Sequence, residues 1–442
     1  MSLANRAAEN HKLRLGVAGL GIVGSGLLAA LQESGPRFEG RFEIVGVSAR
    51  DRERARVVDI SRFAWFDDPV ALASHPDVDV FIELIGGAAH PAKTAIEAAL
   101  QLGKSVVTAN KALLAEHGHA LLALAQQNGA NLAFEAAVAG GIPVISALRL
   151  GLAGARVDQV SAILNGTSNF ILSVMEAQSL DFAAALALAQ AKGFAEADPS
   201  MDVSGADARH KLAILCGLTL HCLPDPRAIR MAGIERVTPL DIASARRLGF
   251  RIKPLARLER RGEGFQANVG PALLPLHHPL AHIDGALNAV LVDASPIGRL
   301  TFSGPGAGAG PTASAVMADL IDLLDGPGRA PFGIPARQLT RKAPMAQEAP
   351  GRHYLRVQVV DRPGTLAAVS HELGAMGVSI DSFHQDAFNA HRAAVPIFLT
   401  TQPCEPEALD AAIAAIARLA STLEPPLCLP IAMTIPPYPE ES

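Results

Sequence analysis

Cysteine, charge and long apolar runs are all scarce in this chain, and each scarcity closes a class of function. Four cysteines occur in 442 residues, at Cys216, Cys222, Cys404 and Cys428. They form no C-x-x-C pair and no zinc-type spacing, so reduced thiols in a cytoplasmic protein fit best. Charged residues make up 18% of the chain against 49% hydrophobic, with a formal net charge of -5. That balance describes a well-packed soluble protein and offers no electrostatic case for nucleic acid or an anionic membrane as partner. No apolar run approaches the ~20 residues that a membrane helix needs. The N-terminus also lacks the basic-then-apolar order of a secretory signal. The length allows two or three domains and a substantial core.

The first third carries a nucleotide-binding pattern. Lys12 to Ala18 reads as a strand, Ser25 to Leu31 has helical composition, and Gly19-Leu20-Gly21-Ile22-Val23-Gly24 lies between them. A G-x-G-x-x-G in that context is informative, because each glycine has a job. Gly19 permits the tight turn, Gly21 lets a pyrophosphate approach the backbone, and Gly24 allows close helix packing. The helix N-terminus, where Ile22 and Val23 sit, supplies amide donors to phosphate. The second strand, Phe42 to Ser48, leads into Ala49-Arg50-Asp51-Arg52, with Arg54 and Arg56 beyond. Arginine pairs bidentately with a 2′-phosphate, so Arg50 favours NADP(H), while Asp51 leaves NAD(H) open.

Strand-like runs continue at Val78 to Ile85, Ser105 to Ala109 and Asn131 to Val138, alternating with helical Pro91 to Leu102 and Leu113 to Gln127. The alternation predicts an α/β fold with a doubly wound parallel sheet, whose ligands lie beyond the strand C-termini. Thr108 and Lys111 fall at one such end, and Glu135 stands alone in an apolar, glycine-rich turn that closes A-G-G-I-P. Farther on, Lys192 to Lys211 spreads Glu196, Asp198, Asp202 and Asp207 among glycines and then enters the apolar run Leu212 to Cys216. With a helix starting near Ala206, Asp207 and Lys211 share one face four residues apart. Taken alone, this stretch reads as a solvated acidic loop ahead of an ordinary helical ion pair.

Asn165-Gly166-Thr167-Ser168-Asn169-Phe170-Ile171-Leu172 forms a polar turn within apolar sequence. Together with G-x-A-E-x-D-P-x-x-D-x-x-G-x-D-x-x-x-K at Gly193 to Lys211 and A-G-G-I-P, it resembles homoserine dehydrogenase. Similar patterns recur at His278-Pro279-Leu280-Ala281, at Asn288-Ala289 and in the Gly306-Ala307-Gly308 loop, so the likeness covers Leu13 to Leu324. The resemblance implies interconversion of L-homoserine and L-aspartate 4-semialdehyde with NAD(P)H. It places the catalytic proton donor on Lys211 and a second active-site lysine on Lys111, which also falls among the cofactor contacts. Glu196, Asp207 and Asp202 match substrate-binding positions. Gly193, Gly306 and Gly308 match cofactor contacts, beside Gly19, Gly21, Ile22, Val23, Gly24, Arg50 and Thr108. A sodium-type monovalent cation maps onto Glu135 and the backbone of Val138, Gly140 and Ile142, a hard-oxygen set that suits such an ion better than zinc. Aldehyde reduction needs a hydride donor and a proton source at the developing oxyanion, and an ammonium serves as both acid and charge stabiliser. Two adjacent lysines would each disfavour the other's charged form and bring a pKa down toward neutrality.

Arg341 to Pro350 is a short polar linker. After it the order is strand (Tyr354 to Val360), helix (Thr365 to Met376), strand (Ser379 to Gln385), strand (Ala393 to Thr401), helix (Pro406 to Ser421) and strand (Leu427 to Ile435). This βαββαβ order predicts a ferredoxin-like unit. Asp361-Arg362-Pro363-Gly364-Thr365-Leu366 resembles the first turn of ACT domains, which implies an amino-acid effector at Asp361, Gly364 and Thr365, with L-threonine the expected one; an oligomerisation module without ligand is the alternative. The expected organisation is a Rossmann-type nucleotide domain over 12–137, completed by about 301–340; an α+β substrate and dimerisation domain over 138–300, with Asp241 to Leu300 in strands and short turns; the linker; and the ACT-like domain over 351–442. A homodimer or homotetramer is expected. No kinase region precedes the glycine motif, so the chain reads as monofunctional. Two alternatives are another NAD(P)-dependent oxidoreductase of an amino-acid aldehyde and a catalytically silent amino-acid sensor. Asp198 has no assigned role.

Overall fold

A computed structural model describes residues 12–33, 40–324, 330–345, 349–385 and 394–432. The ends of the expected strands at Ala393 and at 433–435, and residues 346–348 of the linker, lie outside these.

The nucleotide half is a six-stranded parallel sheet in the order β3-β2-β1-β4-β5-β6. Its strands are β1 (Leu13–Ala18), β2 (Phe42–Ser48), β3 (Ala64–Phe66), β4 (Val80–Glu83), β5 (Ser105–Thr108) and β6 (Leu132–Ala133). They read as near-continuous apolar runs because helices cover both faces. Helix α1 (Ile22–Glu33) follows β1, α2 (Pro69–Ser74) follows β3, α3 (Ala92–Gln101) follows β4 and α4 (Lys111–Gln127) follows β5. The order reverses between β1 and β4, and that switch point opens the ligand crevice. The strand expected over Asn131 to Val138 is corrected here. Only Leu132–Ala133 pair as strand, and Glu135–Ala137 form a 3₁₀ turn. The backbone breaks because the Glu135 carboxylate turns back onto the N–H groups of Ile145 and Ser146.

The middle of the chain starts with β7 (Arg156–Ile163), α5 (Gly166–Gln178), α6 (Phe182–Ala191) and α7 (Ala206–Leu220). Helix α7 is buried along nearly its whole length, consistent with apolar residues all around it. A two-residue strand, β8 (Arg230–Met231), precedes α8 (Pro239–Arg247). The stretch from Asp241 had been expected to begin as strand. Instead Thr238 and Asp241 cap α8 reciprocally, with Pro239 at its first turn and Arg246 and Arg247 at its last. That T-P-x-D start was the missed signal. Strands β9 (Phe250–Arg261), β10 (Gly264–Pro275), β11 (Leu287–Ser295) and β12 (Gly298–Pro305) then complete the expected sheet, and α9 (Ala309–Leu324) returns to pack on α1, its Ala309 against Gly26.

The C-terminal unit runs β13 (Arg352–Val360), α10 (Thr365–Ala375), β14 (Ile380–His384), β15 (Ala394–Thr401), α11 (Pro406–Ala417) and β16 (Leu427–Ile431). Its spatial order, β16-β13-β15-β14, is that of a ferredoxin-like βαββαβ sheet. It has its own core around Leu355, Val369, Leu373, Ile397 and Ile416. It is nonetheless not detached. β16 joins β10 through Ile431 and Leu273, so one ten-stranded sheet runs through the middle and C-terminal parts. A buried ion pair, Arg356 with Asp241, and a hydrogen bond from Tyr354 Oη to Asp241 Oδ1 at 2.9 Å fasten β13 onto α8. No single described helix is long and apolar enough to cross a membrane.

Candidate active site

At the switch point, the strand–glycine–helix segment makes a cradle that requires glycine at positions 19 and 24. Gly19 has φ +97°, and a Cβ there would lie 2.4 Å from the Leu84 carbonyl. A Cβ on Gly24 would lie 1.9 Å from the Gly19 oxygen, whereas Gly21 faces open space. Ile22 is 76% exposed at the mouth of α1; Val23 beside it is half-buried. The cleft has a volume of about 890 Å³ and is lined by Gly19, Gly21, Arg50, Asp51, Arg54 and Gly86, among others. Asp51 Oδ1 is occupied by the backbone N–H groups of Glu53 and Arg54, at 2.9 and 3.2 Å. Arg56 donates to the carbonyls of Asp51, Arg52 and Arg54, and stacks on Trp65 together with Arg52, so it builds the loop. The cradle, the open helix end and the basic rim fit a dinucleotide.

Glu83 was missed from sequence. It is fully buried at the end of β4. Its Oε1 accepts the N–H groups of Ile85 and Gly86, both at 2.8 Å, and its Oε2 accepts the Thr108 hydroxyl at 2.6 Å. Thr108 Oγ1 also accepts Asn110 N–H at 3.0 Å, so the Thr108 side chain is held inside the protein. Asn110 caps α4 through Leu113 N–H and donates to the Gly87 carbonyl at 2.7 Å. One carboxylate thus fixes both the 85–87 loop of the cleft and the entry to Lys111. The signal was an acid at the end of an apolar strand followed by a Gly-Gly pair.

The acidic stretch and the two lysines converge on Asp207. Lys211 Nζ meets Asp207 Oδ2 at 2.8 Å and Lys111 Nζ meets Oδ1 at 3.0 Å. Helix α7 puts Asp207 and Lys211 on one face, as its i,i+4 spacing requires. Burial by itself would raise the Asp207 carboxyl, but the two ammonium groups outweigh it and hold it well below the usual range. Lys111 is raised in turn, chiefly by Asp207. The expectation that two close lysines lower a pKa does not hold at Lys111, because a carboxylate lies between them. Asn165, the cap of α5, donates to Asp202 Oδ1 at 2.7 Å and to Asp207 Oδ2 at 3.0 Å. Asp202, half-buried, is raised by desolvation first. Asp202 and Glu196 both act electrostatically on Lys111, and Glu196 is exposed. Lys211 also donates to the Leu164 carbonyl at 2.7 Å. Asp198 is a turn residue, accepting Ser200 N–H at 3.0 Å.

The Gly306–Gly308 loop lies against the A-G-G turn. Gly141 N–H bonds to Pro305 O at 3.0 Å, and a Cβ on Gly140 would be 3.2 Å from Gly306 O. Gly193 instead closes α6 at φ +75°, exposed, and no described contact brings it to the glycine cradle. Glu135 is buried, and desolvation raises it despite bonds from Ile145 N–H at 3.0 Å and Ser146 N–H at 2.8 Å. Asp319, buried beside it, accepts Glu135 N–H at 2.8 Å and is raised well above its normal value by burial. The Ile142 carbonyl is already engaged by Val144 N–H at 2.7 Å. Capping alone therefore accounts for Glu135, and the hard-oxygen set remains compatible with a monovalent ion. In the C-terminal unit, Asp361, Gly364 and Thr365 line a cavity of about 490 Å³ with Val359, Ser370 and Gln385. Gly364 has φ +87° at the start of α10, and Thr365 Oγ1 donates to Val360 O at 3.2 Å.

Family models match the chain in three consecutive segments: a homoserine dehydrogenase NAD-binding domain over 19–135, a homoserine dehydrogenase domain over 143–321 and an ACT domain over 353–420. A homoserine dehydrogenase of Neisseria gonorrhoeae is 40% identical over 418 residues, covering 92% of this chain and 95% of that protein. The crystal structure of a homoserine dehydrogenase from Thiobacillus denitrificans superposes with a TM-score of 0.85 at 36% identity, covering 95% of this chain and 98% of that one. A hyperthermophilic archaeal homoserine dehydrogenase, solved in complex with NADPH, superposes with a TM-score of 0.60 at 25% identity, over 71% of this chain and 97% of that one. With a dinucleotide cradle on one side and a Lys–Asp–Lys cluster on the other, the chain belongs to the homoserine dehydrogenase family of NAD(P)-dependent oxidoreductases, carries an ACT domain, and serves amino-acid biosynthesis.

Proposed function

We propose that the chain reduces L-aspartate 4-semialdehyde reversibly to L-homoserine, with Lys211 as proton donor and NADPH preferred over NADH. The observation that carries this reading is Asp207 held between Lys111 and Lys211. When bound, the nicotinamide supplies the hydride. The chain's own residues do the rest. Lys211, anchored on Leu164 O, gives its proton to the developing alkoxide and stabilises that charge. Lys111, kept charged by Asp207, adds a second cation without needing to titrate. Asp207, Asp202 and exposed Glu196 form the carboxylate set for the substrate's α-ammonium group. Spectrophotometric oxidation of NADPH by aspartate semialdehyde tests the reaction; a Lys211→Ala variant with wild-type rate and pH profile would sink the proton-donor role.

The cofactor preference is supported by Asp51, whose Oδ1 is already occupied by backbone, and by Arg50 and Arg54 on the cleft wall. Arg50→Ala should lower the NADPH-to-NADH ratio of kcat/KM about tenfold, the order of one charge-assisted contact. The ACT cavity supports an amino-acid effector, with L-threonine as the ligand. Asp361 suits the effector's ammonium, and saturating threonine should inhibit turnover in wild type but not in Asp361→Ala. A sodium-class ion at Glu135 and the carbonyls of Val138, Gly140 and Ile142 belongs to the same reading; it would neutralise buried negative charge near Asp319. Replacing sodium by choline should then lower Tm, with no effect in Glu135→Gln. Assembly as a homodimer or homotetramer is also part of it, supported by the open edge of β12, and light scattering measures it. A silent sensor or another aldehyde reductase would bind the same cofactor without turning over this substrate.

A further inference from the structure

Asn288 stands near the start of β11, 1% exposed. Its Nδ2 donates to the Leu164 carbonyl at 2.9 Å, and that same carbonyl accepts Lys211 Nζ at 2.7 Å. The amide itself packs on the Gly306 loop. A Cβ on Gly306 would lie 2.1 Å from Asn288 Cγ and Nδ2, and 2.5 Å from Oδ1. Any side chain at 306 would therefore displace the amide. Gly306 opens the segment that passes through Gly308, at φ +119°, into α9. Asn288 Oδ1 is buried without a partner among the described residues.

An unpaired buried acceptor is costly, and a leucine of similar size would avoid it. What leucine could not supply is the bond to Leu164. Oδ1 makes no bond, and the amide meets the Gly306 loop by packing alone, so a shift of that loop moves the amide without breaking a bond to it. Its one described hydrogen bond then passes the shift to the carbonyl on which Lys211 is aimed. Small displacements matter here, because misplacing a reacting group by about 1 Å can cost 10²-fold in rate.

We propose that Asn288 is a positioning residue that couples the Gly306–Gly308 loop to Lys211, so that the placement of the loop sets the aim of the proton donor. This rests on Lys211 being that donor, and the experiment separates the two. Asn288→Leu and Asn288→Val, neither of which can donate to Leu164, are compared with Lys211→Ala and wild type. The measurements are kcat, its solvent isotope effect, Tm and NADPH affinity. Coupling predicts a kcat lowered about 10- to 100-fold, an enlarged solvent isotope effect, and Tm and NADPH affinity close to wild type in at least one of the two variants. It is overturned if both keep kcat within about twofold of wild type, or if the loss of rate comes only with a loss of Tm and an unchanged isotope effect. A Lys211→Ala enzyme at full rate would instead overturn the donor assignment itself. Inactive Lys211→Ala beside fully active Asn288 variants would overturn the coupling alone.

Discussion

Replacing Asp207 by asparagine tests the cluster at its centre. The variant keeps the shape but removes the charge that Lys111 and Lys211 contact at 3.0 and 2.8 Å. Taking one partner from a buried pair costs about 3–5 kcal/mol, because it leaves an unpaired buried charge behind. Two features hold the cost near the lower limit. The Lys111 side chain is 41% exposed and can turn to water, and Lys211 keeps the Leu164 carbonyl. The expected loss at neutral pH is therefore about 3 kcal/mol, read from urea denaturation. The pH dependence has a definite sign. Asp207 is held well below its usual range by the lysines, while the unfolded carboxyl titrates near ~3.9. A carboxylate depressed on folding contributes stability that is complete above the unfolded pKa and is lost as pH falls toward the folded one. The gap between wild type and variant should stay flat from about pH 7 to 5 and shrink below about pH 4. Lys111, no longer raised by Asp207, should titrate lower and move the alkaline limb of the rate profile down. A gap under about 1 kcal/mol at neutral pH, or one that widens on acidification, would refute the reasoning.

Arg356→Ala leaves Asp241 buried on α8 without its cation and should cost about 3 kcal/mol. Arg352→Ala, which breaks the half-exposed pair between β13 and Asp381 on β14, should cost under about 1 kcal/mol in the same urea titration. Glu83→Ala strands the Thr108 hydroxyl and the N–H groups of Ile85 and Gly86, so stability should fall by about 2–3 kcal/mol. NADPH binding, followed by fluorescence, should weaken with it, and Glu83→Gln should fall between wild type and alanine. Gly24→Ala drives a Cβ to 1.9 Å from the Gly19 oxygen. Helix α1 must then lift from β1, and isothermal titration should show NADPH affinity reduced more than tenfold while stability drops by about 1–3 kcal/mol.

Local rules made several elements readable in advance. The glycines at 19 and 24 announce a cradle because the turn and the close packing that require them are local. The βαββαβ tail follows from period and turn residues alone, and the Asp207–Lys211 pair follows from helix geometry once the helix start is placed near Ala206. Elements decided by distant partners were not legible. The strand expected through Val138 stops at Ala133 because Glu135 bonds to residues ten and eleven positions on. Helix α8 carried a capping box in its sequence, yet its purpose, holding β13 through Asp241, depends on Tyr354 and Arg356, more than a hundred residues away.

The sequence by itself determined the class of chemistry: a dinucleotide cradle, an acidic stretch feeding a lysine into a buried helix, and a small C-terminal α+β unit. These are written in spacing, composition and the conformations glycine alone adopts. Only the tertiary structure decided how the lysines and carboxylates of the cluster meet. Asp207 is shared by two lysines drawn from helices that begin 95 positions apart, so Lys111 is raised where sequence proximity arguments would lower it. Glu83, Asn165 and Asn288 acquire their roles from hydrogen bonds across the fold. The physical reason is that a hydrogen bond or ion pair depends on distances of a few ångströms in space, which spacing along the chain specifies only within one helix or turn.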